Sequence, residues 1–207
     1  MNNDILYQTI ESGKEFKYKE KGSLFIAHGQ KILSKEHFAE IHSQIKKKYY
    51  DSTHICFAFR LFDEFRYSDD GEPNGTAGIR IFNTIKSFSL FYSAIFVIRY
   101  FGGTKLGAGP LAKAYSSAAD GFVNDSGLRE IRFYDRLRIH YSFENTGFLW
   151  HQLANFNAEI IGEGFTECPF IDVKILNQDS FKFANLISEV NKSDFFIDFI
   201  DSNSPNL

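Results

Sequence analysis

Two stretches carry residues whose types and spacing suit chemistry. The first, YSDDGEPNGTAG (67–78), sets Asp69, Asp70 and Glu72 among Gly71, Gly75 and Gly78, with Thr76 just ahead of a helical pattern. The second, RYFGGTKLGAGPLAKAY (99–115), follows Arg99, Tyr100 and Phe101 with Gly102, Gly103, Lys105, Gly107 and Gly109. Glycines before a helix start expose backbone N–H groups, and the helix dipole adds to them, which makes an anion-binding position. The same glycines would equally serve positive φ and close packing. The motif is not a P-loop, because no Gly-Lys-Ser/Thr closes it. Carboxylates beside a phosphate-binding loop would suit Mg²⁺ held by Asp69, Asp70 and Glu72. They would also suit a solvated turn, a cap for the helix after Thr76, or a pair with Arg99. The two loops read as halves of one site.

Other chemistries find less support. No G-x-S-x-G elbow accompanies Ser68, Thr76, Thr104 or Ser116. Cys56 falls within a strand pattern and reads as core packing rather than a reactive thiolate. His54 shares its side of that strand, where it would titrate near neutral pH or pack as a hydrogen-bonded histidine. The remaining histidines form no H-x-x-x-H or H-E-x-x-H pattern.

The elements that must position these loops follow from periodicity. Residues 15–33 read as two strands about a turn at Gly22-Ser23. Ser34 then stands as N-cap to a helix with the stripe Phe38, Ile41, Ile45. STHICFAFRLF (52–62) is a strand with Ile55, Phe57, Phe59 and Leu61 on one face. A helix after the acidic loop carries Ile79, Phe82 and Ile85. LFYSAIFVIRYF (90–101) is nearly continuous in apolar residues, as a central strand covered on both sides would be. Pro110 suits the first turn of the next helix. Beyond a linker at 124–135 come strand 136–143, helix 146–155, strands 157–166 and 169–176, helix 179–190 and strand 194–200. That order, βαββαβ, is the order of a ferredoxin-like sandwich. The expected organisation is α+β, with domains at 1–130 and 134–201 and a frayed tail at 202–207.

Composition bounds the function. The chain has 207 residues and a net charge of -3, so no global basic field drives polyanion binding. Residues 1–130 hold 17 Lys+Arg against 15 Asp+Glu, and the remainder 6 against 11. Any polyanion contact therefore belongs to the first part. Two distant cysteines argue against a disulfide framework or structural zinc. The start MNNDILYQTIESGKEF lacks the pattern of a secretory signal, and no apolar run reaches membrane-spanning length, so a cytoplasmic protein with no membrane partner is expected. The second part is acidic and lacks an RNP1-type signature, so direct RNA recognition is not expected of it.

HICFAFR, RYSDDGEPNGTAG and RYFGGTKLGAGPLAKAYSSAA, in this order, resemble the IMPACT / YigZ family. The resemblance implies a first domain like domain 2 of ribosomal protein S5, followed by the ferredoxin-like domain. It places the family signature on His54, Asp69, Asp70, Gly71, Glu72, Gly75, Thr76, Gly78, Arg99, Tyr100, Phe101, Gly102, Gly103, Lys105, Gly107 and Gly109. Departures are Asn74 for the usual Ser, Arg80 in place of a basic residue at 79, Pro110 for Gly and Lys113 for Arg. The resemblance implies a translation-linked protein that binds RNA, the ribosome or a translation-regulatory protein. On that reading Arg99 and Lys105 contact phosphate and no catalysis is required. The alternative is a Mg²⁺-dependent enzyme acting on a nucleotide or phosphate ester.

Overall fold

The structure, a computed structural model, describes residues 7–190 and 195–206. Residues 1–6, which the signal reading uses, Asp194 of the expected last strand, and Leu207 of the tail lie outside the described residues. The chain divides into two compact units between Glu130 and Ile131. The architecture is α+β, with a β-sheet in each unit.

The first unit runs β1 (Tyr7–Ser12), β2 (Phe16–Glu20), β3 (Ser23–Lys31), α1 (Lys35–Lys48), β4 (His54–Arg60), β5 (Phe65–Ser68), α2 (Gly78–Ser87), β6 (Ser93–Tyr100), α3 (Ala108–Asn124) and β7 (Gly127–Ile131). Five strands form an antiparallel sheet in the order β2-β3-β6-β4-β5. β1 and β7 pair separately. β6 lies at the centre with helices over both faces, so its run from Ser93 to Arg99 is buried without alternation. On one face α1 buries Phe38, Ile41 and Ile45 against Ile55, Phe57, Phe59, Phe96 and Ile98. Ser34 caps that helix by accepting from the His37 N–H at 3.2 Å. On the other face α2 and α3 bury Ile81, Phe82, Ile85, Leu111, Tyr115 and Phe122 against Phe25, Cys56, Ile95 and Val97. Odd and even positions of β4 and β6 thus belong to different cores, which decides that His54, Cys56 and Arg99 share the α2/α3 side.

Three expectations need correction here. The first hairpin turns at Lys21-Gly22, both with positive φ, and Ser23 already pairs with Glu20. Positive φ at both central residues is what a two-residue hairpin turn demands, and Gly22 meets it without strain. The approach to the acidic loop is a strand, β5, which pairs Phe65–Ser68 with Phe57–Arg60. The expected linker at 124–135 is mostly strand, because β7 spans Gly127–Ile131 and β8 begins at Phe133. β7 is only half-buried in its two-stranded sheet, so little alternation was available to mark it.

The second unit runs β8 (Phe133–Tyr141), α4 (Thr146–Asn155), β9 (Glu159–Phe165), β10 (Pro169–Leu176), α5 (Asn177–Val190) and β11 (Phe195–Pro205). Its sheet has the order β11-β8-β10-β9, all antiparallel. Leu137, Ile139, Ile171, Val173 and Ile175 meet Leu149, Leu153, Phe183 and Ile187 of the helices. The stretch expected to fray is paired: Ser204 lies opposite Tyr134, Pro205 opposite Phe133, and the Asn206 N–H donates to the Arg132 carbonyl. Two register shifts carry β11 along that edge. Backbone bonding holds it, and its polar side chains gave no strand signal.

Candidate functional site

The acidic loop begins where β5 ends. Asp69 points its carboxylate back into the loop: Oδ1 accepts from the Ala77 and Gly78 N–H groups at 2.9 and 2.8 Å, and Oδ2 from Gly75 N–H at 3.0 Å. α2 has no side-chain cap of its own at Ala77. Asp69 supplies one from eight residues upstream, placing negative charge at the positive end of the helix. Asp70, with φ +43°, accepts from the Ile55 N–H through Oδ2 at 2.7 Å. Its carbonyl oxygen lies 2.7 Å from His54 Nδ1, which must be the donor because a carbonyl can only accept. Gly71 and Gly75 take positive φ. Thr76 closes the turn by donating its hydroxyl to the Pro73 carbonyl at 2.6 Å. A Cβ on Gly78 would lie 2.7 Å from the backbone of Ser68, so the first residue of α2 packs directly on the end of β5.

Glu72 turns inward and is 8% exposed. One carboxylate oxygen accepts from Arg99 Nη1 at 2.6 Å and from the Tyr115 hydroxyl at 2.8 Å. The other lies 3.9 Å from His54 Nε2. Cys56 Sγ is 3.0 Å from the Asp69 carbonyl and 3.4 Å from Tyr115 Oη. Burial pushes the Cys56 thiol up, and burial followed by Cys56 and Glu72 pushes the Tyr115 hydroxyl up. Both stay protonated through the neutral range, so neither supplies a nucleophile there.

The three carboxylates therefore do not form the shared Mg²⁺ set expected of them. Asp69 is used by three N–H groups, Asp70 by Ile55, and Glu72 by Arg99 and Tyr115. Among the described residues no group of three or more His, Cys, Asp or Glu is placed to hold a metal ion.

Arg99 also departs from its expected role. Its phosphate contact would need a solvent-facing guanidinium, whereas the residue is 5% exposed and faces Glu72, the Ser23 hydroxyl at 3.4 Å and the Phe25 ring. The two alternatives open in the sequence, an acid capping the helix and an acid pairing with Arg99, are both realised, by Asp69 and Glu72. The Arg99–Glu72 pair also ties the acidic loop to the end of β6, where the glycine loop starts.

That second loop divides into an anchored and an open part. Tyr100 donates its hydroxyl to Asp51 at 2.9 Å, and the Phe101 N–H donates to Thr53 at 2.9 Å. Gly102 crosses Gly22 so closely that a Cβ would lie 1.9 Å from the Gly22 carbonyl carbon. Leu106 is buried and pins the far end. Between and after these anchors, Gly103, Lys105, Gly107 and Gly109 are exposed, and a Cβ on any of the three glycines would meet nothing. Gly103 and Gly107 have φ of +86° and +80°. Gly107 is the N-cap of α3 and offers no side chain to its first N–H groups. Lys105 makes no ion pair among the described residues, and the Phe101 ring is 46% exposed.

Tyr115 is the member of this network that the sequence reading left out. It lies on the buried stripe Leu111, Ala114, Tyr115, Ala118, Phe122 of α3. A tyrosine among small buried residues was the available signal, because a buried hydroxyl needs a partner.

Residues 21–123 match the family model described as the Impact N-terminal domain, and that span contains both loops and every member of the network. The chain belongs to the IMPACT family. IMPACT relatives include YvyE of Bacillus subtilis, 34% identical over 127 residues that make up 60% of this chain and 58% of that protein. YigZ of Escherichia coli is 29% identical over 160 residues, 74% of this chain and 69% of that one. A Thermus thermophilus member is 44% identical over 68 residues, 33% of this chain and 37% of its own length. The chain thus aligns with well under two thirds of the length of YvyE and of the Thermus member. Among solved structures, the crystal structure of a hypothetical protein superposes with a TM-score of 0.60 at 19% identity, over 95% of this chain and 98% of that one. A longer protein from Thermus thermophilus gives 0.55 at 11% identity, over 97% of this chain and 29% of that protein. At these identities the likeness is one of fold.

Proposed function

We propose that this IMPACT family member is a non-catalytic, translation-linked binding protein whose first unit contacts RNA or the ribosome through the exposed part of the glycine loop. Family membership supports the link to translation. The observation that carries the binding surface is the combination at 103–109: exposed Lys105, glycines with open space around them, and the uncapped head of α3. Phosphate oxygens suit that combination, since N–H groups at a helix start and a lysine are both donors to anions. Phe101, alongside, offers a face for base stacking. Arg99 has no part in this contact; it holds the loop from inside through Glu72. We read the first unit, residues 1–130, as an S5-domain-2-like domain and the second, from 134, as ferredoxin-like, in a cytoplasmic protein. A translation-regulatory protein is the competing partner.

The test is co-sedimentation with ribosomes and with tRNA across a salt series, for the native chain and Lys105→Ala. The expected result is binding that weakens steeply with salt, with a logarithmic slope reduced by roughly one in the variant. Sedimentation with the same slope in both proteins would remove Lys105 from the contact. No sedimentation at low salt would remove the polyanion and leave the protein partner.

A further inference from the structure

The outer strand of the first sheet carries a row of lysines with no part in the network of Glu72 and Arg99. KEFKYKEK (14–21) places Lys17 and Lys19 on β2, with Lys14 ahead of it and Lys21 just after it. β2 ends the strand order β2-β3-β6-β4-β5, so one of its edges is unpaired. Phe16 and Tyr18 pack into the α2/α3 core, where the Phe16 ring occupies the space that Gly121 leaves on α3. Alternation turns Lys17 and Lys19 to the opposite side, beside their strand partners Ile26 and Leu24. Both are exposed, as are Lys14 and Lys21. Two residues of antiparallel strand set Lys17 and Lys19 about 6.8 Å apart along β2, close to the step between successive phosphates of an extended nucleic-acid strand.

The acids of this stretch are already engaged. Glu15 accepts from Lys48 and from the Tyr49 hydroxyl, and Glu20 accepts from the Tyr18 hydroxyl at 3.2 Å. Lys14, Lys17, Lys19 and Lys21 make no ion pair among the described residues. The row also runs onto the glycine loop. Lys21 and Gly22 turn the hairpin, Gly102 crosses directly over Gly22, and the Ser23 hydroxyl accepts from the Gly102 N–H at 3.2 Å. Lys105 follows three residues later. Lysines on an edge strand also keep other strands from pairing with it. Lys17 and Lys19 alone would meet that need, whereas a row that continues through Lys21 to the loop of Lys105 matches a linear polyanion. Phe101, exposed at the start of that loop, presents its face to an unpaired base, which favours a single strand over a duplex.

We propose that Lys17, Lys19 and Lys21 extend the glycine loop into one track for the phosphate backbone of single-stranded RNA. The inference rests on the reading of that loop as a polyanion contact, and its test separates the two. A fluorescent oligouridylate of about twelve nucleotides, within the usual site size of single-strand binders, is titrated into the full chain across a salt series. The proteins are the native chain, Lys105→Ala, and a triple variant, Lys17→Gln/Lys19→Gln/Lys21→Asn. Asn suits the positive φ of position 21, and all three positions are exposed, so the fold is kept. Three lost phosphate contacts at about 0.7 each lower the logarithmic salt slope by about 2 in the triple variant. Lys17→Arg/Lys19→Arg keeps the native slope. If Lys105→Ala lowers the slope and the triple variant does not, the track is overturned and the glycine loop stands. If the triple variant alone lowers it, the lysine row is upheld and Lys105 is removed. No binding of the oligouridylate at about 50 mM salt overturns the track, whatever ribosome co-sedimentation shows. So does equal or tighter binding of an RNA duplex of the same length. Phosphatidylserine vesicles that bind the native chain but not the triple variant, with oligouridylate binding unchanged between them, would overturn it in favour of a membrane surface.

Discussion

Arg99 and Glu72 form a buried ion pair at 2.6 Å, with side chains 7% and 3% exposed. The pair crosses from the end of the central strand to the middle of the acidic loop. Tyr115 adds a hydrogen bond to the same carboxylate oxygen, and Ser23 lies within reach of the guanidinium. Charge that looked available for ligand binding is spent on holding two loops together. Arg99 Nε remains without a partner among the described residues, so the network is not fully satisfied.

Removing one member should cost more than removing both. Arg99→Met or Glu72→Gln strands the other charged or polar group in the core, and each single change is expected to destabilise by about 3–5 kcal/mol. Arg99→Met with Glu72→Leu leaves no stranded charge and should cost clearly less than the sum of the two. Urea unfolding of the native chain, the two single variants and the double variant measures this. Additive losses would show that the pair is not coupled.

The crossing of Gly102 over Gly22 makes a sharper steric prediction. In Gly102→Ala the new methyl would lie 1.9–2.3 Å from backbone atoms of Gly22 and Ser23, which cannot rotate away. The loop must shift, at a cost of about 1–3 kcal/mol or more. Gly109→Ala meets nothing within 4 Å and lies in the first turn of α3, so it should be neutral or stabilising by up to about 1 kcal/mol. Thermal melts of the two variants decide it; a harmless Gly102→Ala would contradict the close crossing.

Cys56 and Tyr115 carry a pH dependence of definite sign. Burial raises both groups in the folded state, so below their unfolded values, about 8.5 and 10, the two states bind these protons equally. Above about pH 8.5 the unfolded thiol ionises while the folded one does not, and stability falls by about 1.4 kcal/mol per pH unit. Above about pH 10 Tyr115 adds a second equal slope. Denaturant unfolding from pH 7 to 10.5 should show this loss, reduced in Cys56→Ala. In the native protein at pH 8, iodoacetamide should label the half-buried Cys168 and spare Cys56, read by mass spectrometry.

Much of the scaffold was legible in the residues themselves. Phe38, Ile41 and Ile45 recur at helical spacing, Ile55 to Leu61 alternate, and the nearly continuous apolar run of 90–101 announced a strand covered on both faces. Those patterns are local because one element's buried face is written along its own few turns or pleats. The βαββαβ order of the second unit was legible for the same reason, and strand 169–176 was placed to the residue. Ranges without such a face were not legible. β5 and β7 are mostly exposed or half-buried, and the last part of β11 is polar, so backbone pairing with a distant strand decides them. The clustering of Asp69, Asp70 and Glu72 was also on view, but not their roles. A carboxylate reads the same whether it faces water, a metal or an arginine. Its partner was settled only when β4, β6 and α3 brought His54, Arg99 and Tyr115 to one end of the sheet. Tertiary structure thereby turned a loop rich in acids into a packed network, and left the neighbouring glycine loop with its lysine exposed.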